Sequence, residues 1–225
     1  MRHLLALCCS LLLLLQAAGA DAARITVGDA QIAFTPPPGH CELDPKQPLD
    51  ARFIEVMGNA MGPDIRILVA FADCVQLSVW RKGLALHIQD YGMLTTIRQD
   101  ERHSLSEPRA AVVRSLAQQL RSVPPDLDLE AEAVNRRHDA SDVRLGRMER
   151  LGVLHADDSA VYYGLVAEVI SEDGRHRDAV EVGAMTLIKG KLLSYLLYGE
   201  FRGKTSVDQM LGLQRSNMDR LIAGN

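Results

Sequence analysis

The sequence predicts an α+β fold, an antiparallel β-sheet covered by helices in the manner of an α/β/α sandwich. Two observations carry this expectation. Four strand-like runs, at 143–155, 160–170, 177–188 and 192–201, follow one another with only short polar connections, and short connections force antiparallel pairing. Stretches with apolar residues at helical spacing, at 50–61, 106–121 and 206–222, supply the cover that such a sheet needs.

The first twenty residues read as a secretory signal peptide: Arg2 and His3 precede an apolar run from Leu4 to Leu15, and Ala18-Gly19-Ala20 offers a small-residue cleavage site. Cleavage as late as Ala23 fits the same pattern. The apolar run is short for a membrane span, which needs about 20 residues, so no stable membrane insertion is expected after cleavage. Residues 21–225 then form a single domain with enough chain for a sizeable core. The formal charge of the whole chain is −4, and the 20 arginines among its 25 basic residues are interleaved with acids. That balance argues against a nucleic-acid partner, for which a basic excess is the usual footprint. The leader places the protein in the periplasm, or outside the cell. In an oxidising compartment the two remaining cysteines, Cys41 and Cys74, are expected to form a disulfide.

Taken in order, 24–34 reads as two short strands around the Gly28-Asp29 turn. Pro36-Pro37-Pro38 follows as a stiff extended corner. Asp50 is placed to cap a helix over 50–61, with Phe53, Ile54, Met57 and Met61 on one stripe and Gly62-Pro63 as its stop. The run 64–81, rich in branched residues, reads as one long central strand ending near Trp80 in a packing role. The stretch 87–97 reads as a weaker strand or edge segment containing Tyr91. Ser106 and Pro108 open the next helix, and Pro124-Pro125 ends it before a shorter polar helix over 126–137. In the meander, Asp157-Asp158, Asp173-Gly174 and Lys189-Gly190-Lys191 are the hairpin turns, the last read as a solvated tip. Ser206 and Gln209 have capping-box spacing at the start of the final helix, whose stripe is Val207, Met210, Leu211, Met218, Leu221 and Ile222.

An early hairpin ending in Phe34-x-x-Pro37-x-Gly39, then a helix, a terminal meander closed by Lys189-Gly190-Lys191 and a last helix resembles the PsbP/Mog1/DcrB-like α/β/α sandwiches. The resemblance rests on element order and turns. It implies a scaffold or interaction role in an accessory protein and transfers no catalytic residue.

Few residues of the sequence stand in a pattern that carries chemistry. No nucleophile elbow, P-loop, dinucleotide glycine run or metal-binding helix motif is present, and no cofactor or metal is expected. His155, Asp157 and Ser159 collect the residue types of a hydrolase on one turn, but neighbours on a turn do not converge as a triad does. His138-Asp139 and His176-x-Asp178 are close pairs of the kind common in polar loops. Tyrosines concentrate on the meander: Tyr162, Tyr163, Tyr195 and Tyr198 are the candidate interaction residues, since strand alternation sends neighbours to opposite faces. The leading expectation is therefore an exported envelope accessory protein that binds a protein partner. A periplasmic hydrolase and a small-ligand carrier are the alternatives, and nothing in the sequence fixes the oligomeric state.

Overall fold

In a computed structural model, residues 23–85, 87–122, 127–137, 143–171 and 173–225 are described. The segment read as a leader, and with it the cleavage site, lies outside these residues, as do Asp126, His138 and Asp139. Strands β1 (Ala23–Val27) and β2 (Ala30–Phe34) pair as a separate hairpin. The main sheet contains β3 (His40–Glu42), β4 (Ile65–Asp73), β5 (Tyr91–Ile97), β6 (Val143–Ala156), β7 (Val161–Ser171), β8 (His176–Ile188) and β9 (Lys191–Glu200). Its seven strands are antiparallel throughout, in the order β3-β4-β5-β9-β8-β7-β6. The helices are α1 (Pro48–Met61), α2 (Cys74–Arg81), α3 (Arg109–Ser122), α4 (Leu127–Arg137) and α5 (Lys204–Ala223). The fold is thus the α+β sandwich that the pattern predicts.

Strand alternation divides the core between two layers. One face of the sheet carries Phe71, Leu94, Tyr162, Ala184, Leu193, Tyr195 and Leu197, packed beneath Met218 and Leu221 of α5 and beneath Val27, Ile32 and Phe34 of the first hairpin. The other face is covered by the other four helices, with α4 linking α1 to β6 through Arg137 on the Asn59 and Ala60 carbonyls and Asn135 on Leu145. Helices α1 and α2 lie over β4 and β5 through Phe53, Met57, Leu77 and Trp80. Helix α3 lies over the far strands through Val113, Leu116, Ala117 and Leu120. Among the described residues, no helix is long and apolar enough to cross a membrane.

Several local expectations fail for identifiable reasons. The run 64–81 is not one strand. The Asp73 carboxylate accepts from the Val75 and Gln76 backbone amides at 3.0 and 2.9 Å, so it caps a helix, and Cys74 opens that helix instead of lying in the sheet. Nor is β4 central: it lies beside the three-residue edge strand β3, and the weakly patterned segment supplies β5 in the sheet interior. The helix expected from Asp50 begins at Pro48, and Asp50 is fully buried within it. Its carboxylate accepts from the Asp44 amide at 2.7 Å and from the Arg81 guanidinium, which ties α1 to α2. The capping box is absent: α5 starts at Lys204, and the Ser206 hydroxyl donates to the Gly203 carbonyl at 2.7 Å.

The Lys189-Gly190-Lys191 tip is not a solvated turn either. Lys191 belongs to β9 and is only 1% exposed. Its ammonium group donates to the Glu101 and His103 carbonyls at 2.9 and 3.0 Å and pairs with Asp29 at 2.7 Å. Three donors meet three acceptors, so the buried charge is fully satisfied.

Candidate binding site

The expected disulfide is in place. Cys41 on β3 and Cys74 on α2 are joined, with Cα atoms 5.0 Å apart, and the bond fastens the short edge strand to the sandwich. The four meander tyrosines, in contrast, separate. Tyr162 and Tyr195 are 1% and 2% exposed and lie in the core beneath α5, so they offer nothing to a partner. Tyr163 and Tyr198 point to the opposite face and are half-buried.

On that face the register builds a row across the sheet. Tyr91 of β5 lies opposite Tyr198 of β9, Tyr198 opposite Glu181 of β8, Glu181 opposite Leu165 of β7, and Leu165 opposite Arg150 of β6. The Tyr91 and Tyr198 rings stack at 4.6 Å with 12° between their planes, and Phe53 of α1 stands edge-on to Tyr91 at 5.1 Å. Tyr163 sits diagonally beyond Glu181 and lies over Gly183, where a Cβ would stand 2.2 Å from the tyrosine Cζ. Glycine is therefore what lets the ring lie flat on the sheet. A bulge between Arg150 and Gly152, with Gly152 at φ +76°, shifts the β6 register at the end of the row.

Beside α3 this arrangement leaves a cleft of about 260 Å³. Its walls are Leu120 of α3 with Leu165 and Met185, and its polar groups are Arg150, Tyr163 and Glu181. The electrostatics follow from the desolvation. Burial pushes Glu181 up to about 7, partly offset by the Tyr198 hydroxyl, which donates a hydrogen bond to the ionised carboxylate. Burial also holds the Tyr91, Tyr163 and Tyr198 phenols well above their ordinary value, so all three remain neutral hydrogen-bonding groups. Arg177, on the same face of β8, lies near Tyr91 and has a buried Nε without a hydrogen-bond partner.

The residues of the hydrolase reading form a turn. The Asp157 carboxylate accepts from the Ser159 and Ala160 amides at 2.7 and 3.0 Å and stands 3.4 Å from His155 Nε2. Its Oδ1 accepts both backbone amides, the arrangement of an Asx turn, while Oδ2 faces the His155 ring. His176 pairs with Glu168 at 2.7 Å at the strand ends, not with Asp178. No group of three or more histidine, cysteine or carboxylate side chains gathers in metal-binding geometry among the described residues.

Sequence reading missed Tyr91, Arg150 and Glu181 as members of a site. Glu181 was within reach: a two-residue turn at Lys189-Gly190 pairs Ile188 with Lys191 and so places Glu181 opposite Tyr198. Tyr91 arrives from a distant segment, and no local signal could place it.

No family model matches the chain, and no curated protein does. Among solved structures, the chain is similar to the solution structure of cyanobacterial PsbP (CyanoP) from Synechocystis sp. PCC 6803. The identity is 15% and the TM-score 0.35, over 93% of this chain and 94% of that one.

Proposed function

We propose that this chain is an exported accessory protein of the cell envelope that acts by binding a protein partner, with the outer sheet face beside α3 as its contact surface. The observation that carries the reading is the half-buried row Tyr91-Tyr198-Glu181, continued by Tyr163 and Arg150, which the helical layer leaves partly uncovered. Tyrosine and arginine are the residues that most often anchor interfaces, because each offers contact area together with hydrogen bonding. A disulfide closing the edge strand suits an oxidising compartment. The leader motif supports the same address.

The test is site-specific photocrosslinking in cells that make the full chain. A benzoylphenylalanine at Tyr163 should give a discrete protein adduct in the osmotic-shock fraction. The same probe at Asp208, exposed on α5, should give none. Adducts from Asp208 alone, or from neither position, would overturn the reading.

A further inference from the structure

Arg150 and Glu181 face the same cleft and do not neutralise one another. They stand at the two ends of the Arg150-Leu165-Glu181 row, separated by one strand, so their backbones are about 10 Å apart at ordinary strand spacing. Among the described residues Arg150 has neither a hydrogen bond nor an ion pair, although it lies close enough to Tyr163 to lower that phenol's pKa. The polar partner of Glu181 is a neutral phenol, Tyr198. In their ionised forms these two half-buried groups of opposite sign are therefore each left without a counter-charge among the described residues, which is costly on both sides of the cleft. A single side chain from a partner would answer one of them and leave the other as it was. Between the two charges the walls are aliphatic, from Leu120, Leu165 and Met185. The volume, about 260 Å³, falls just under the roughly 300–1,000 Å³ of sites for drug-sized ligands.

We propose that this cleft is a binding site for a small zwitterion, a free α-amino acid with an aliphatic side chain. Its ammonium group pairs with the Glu181 carboxylate and reaches the Tyr163 and Tyr198 hydroxyls. Its carboxylate takes the Arg150 guanidinium, whose planar fork suits two oxygens. Its side chain lies against Leu120, Leu165 and Met185. Both stranded charges are then neutralised by one molecule, and the ionised form of Glu181 gains the cation that its surroundings lack. The inference rests on the reading of this face as the binding face.

Calorimetric titration of the purified full chain with L-leucine, isoamylamine and 4-methylpentanoate tests it, because the second lacks the carboxylate and the third the ammonium. Leucine should bind saturably with Kd below about 1 mM, and each truncated analogue at least about tenfold more weakly, the loss of one charged contact. Arg150→Met should weaken leucine by a similar factor and leave isoamylamine unchanged. Glu181→Gln should weaken leucine and leave 4-methylpentanoate unchanged, and these selective losses separate a site effect from misfolding. No saturable leucine signal up to about 10 mM, or leucine binding indifferent to both substitutions, overturns the inference. Crosslinking from Tyr163 would survive that result, so failure of the ligand and failure of the partner reading are distinguishable.

Discussion

The two faces of the sheet carry the same residue types and put them to opposite use. Beneath α5, tyrosines 162 and 195 are sealed among Phe34, Phe71 and Leu197, with Tyr195 edge-on to Phe34 and Phe71 at 5.8 and 5.6 Å. Across the sheet, tyrosines 163 and 198 keep part of their surface in water and share it with Glu181 and Arg150. What differs is the cover. A long helix and a hairpin close the first face, whereas on the second the shorter helices leave a cleft beside Leu120 of α3. A tyrosine's role here is decided by strand parity and by the nearest helix, not by the tyrosine.

Four substitutions break or sharpen this contrast. The largest effect is expected for Tyr195→Ala, which opens a cavity in the sealed layer and should cost about 3–5 kcal/mol in a urea denaturation series. Tyr163→Ala in the same series should cost less, because Tyr163 is half-buried where Tyr195 is 2% exposed. Equal losses would abolish the distinction between the faces. Next, removing the disulfide as Cys41→Ser with Cys74→Ser releases a loop with a sequence separation of 33 residues. The chain-entropy account puts that at about 3–4 kcal/mol, read as a lower urea midpoint that reductant no longer shifts. Third, Gly183→Ala drives a Cβ into the Tyr163 ring at 2.2 Å. The ring is the free end of a side chain, so it should swing outward at a cost of about 1–2 kcal/mol. Faster nitration of Tyr163 would register the swing, and an unchanged nitration rate would count against the packing described.

The smallest effect is a pH dependence. Burial raises Glu181 from 4.5 to about 7, so between those values the folded protein holds a proton that the unfolded chain has lost. The stability linked to this group is complete below pH 4.5 and is lost as pH rises through 7. The groups facing it are the phenols of Tyr91, Tyr163 and Tyr198, with Arg150 and Arg177 at the margins of the cluster. Glu181→Gln should flatten the decline in Tm between pH 5 and pH 8 by a few degrees, and a parallel decline in both proteins would place the titrating group elsewhere.

Much of the fold was legible in the sequence because its signals are local. The meander, the first hairpin and the four helices expected over 50–61, 106–121, 126–137 and 206–222 all rest on periodicity and turn residues within a short window. Asp73 shows where such reading stops: branched residues continue on both sides of it, and only its side chain, turning back onto two amides, separates β4 from α2. The site was less legible, and one residue accounts for part of this. Counting Lys191 in the turn pairs Ile188 with Leu192 and slips the register by one. In a sheet, that sends every side chain of the slipped strand to the wrong face. The placement of Lys191 in β9 depends on carbonyls from 101 and 103, which no local pattern reveals. Asp50 is a similar case, a cap by its sequence neighbours and a buried counter-ion by its distance from Arg81.

Lys191 also sets an order of events. The hairpin at the start of the described chain stands apart from the main sheet, and its turn is held at Asp29 by an ammonium that emerges near the end of the chain. Until β9 has been made, the tip has Ser104, which donates to Asp29 at 3.3 Å, and Arg66, which donates to the Thr26 carbonyl at 2.6 Å, and Phe34 has Phe71 but not Tyr195 to pack against. A chain that appears from its first residue onward therefore holds its opening hairpin by only part of its contacts until β9 follows. The contacts that join the two ends of the chain are complete only with β9 and α5, and a truncation before Lys191 would remove them from the opening hairpin.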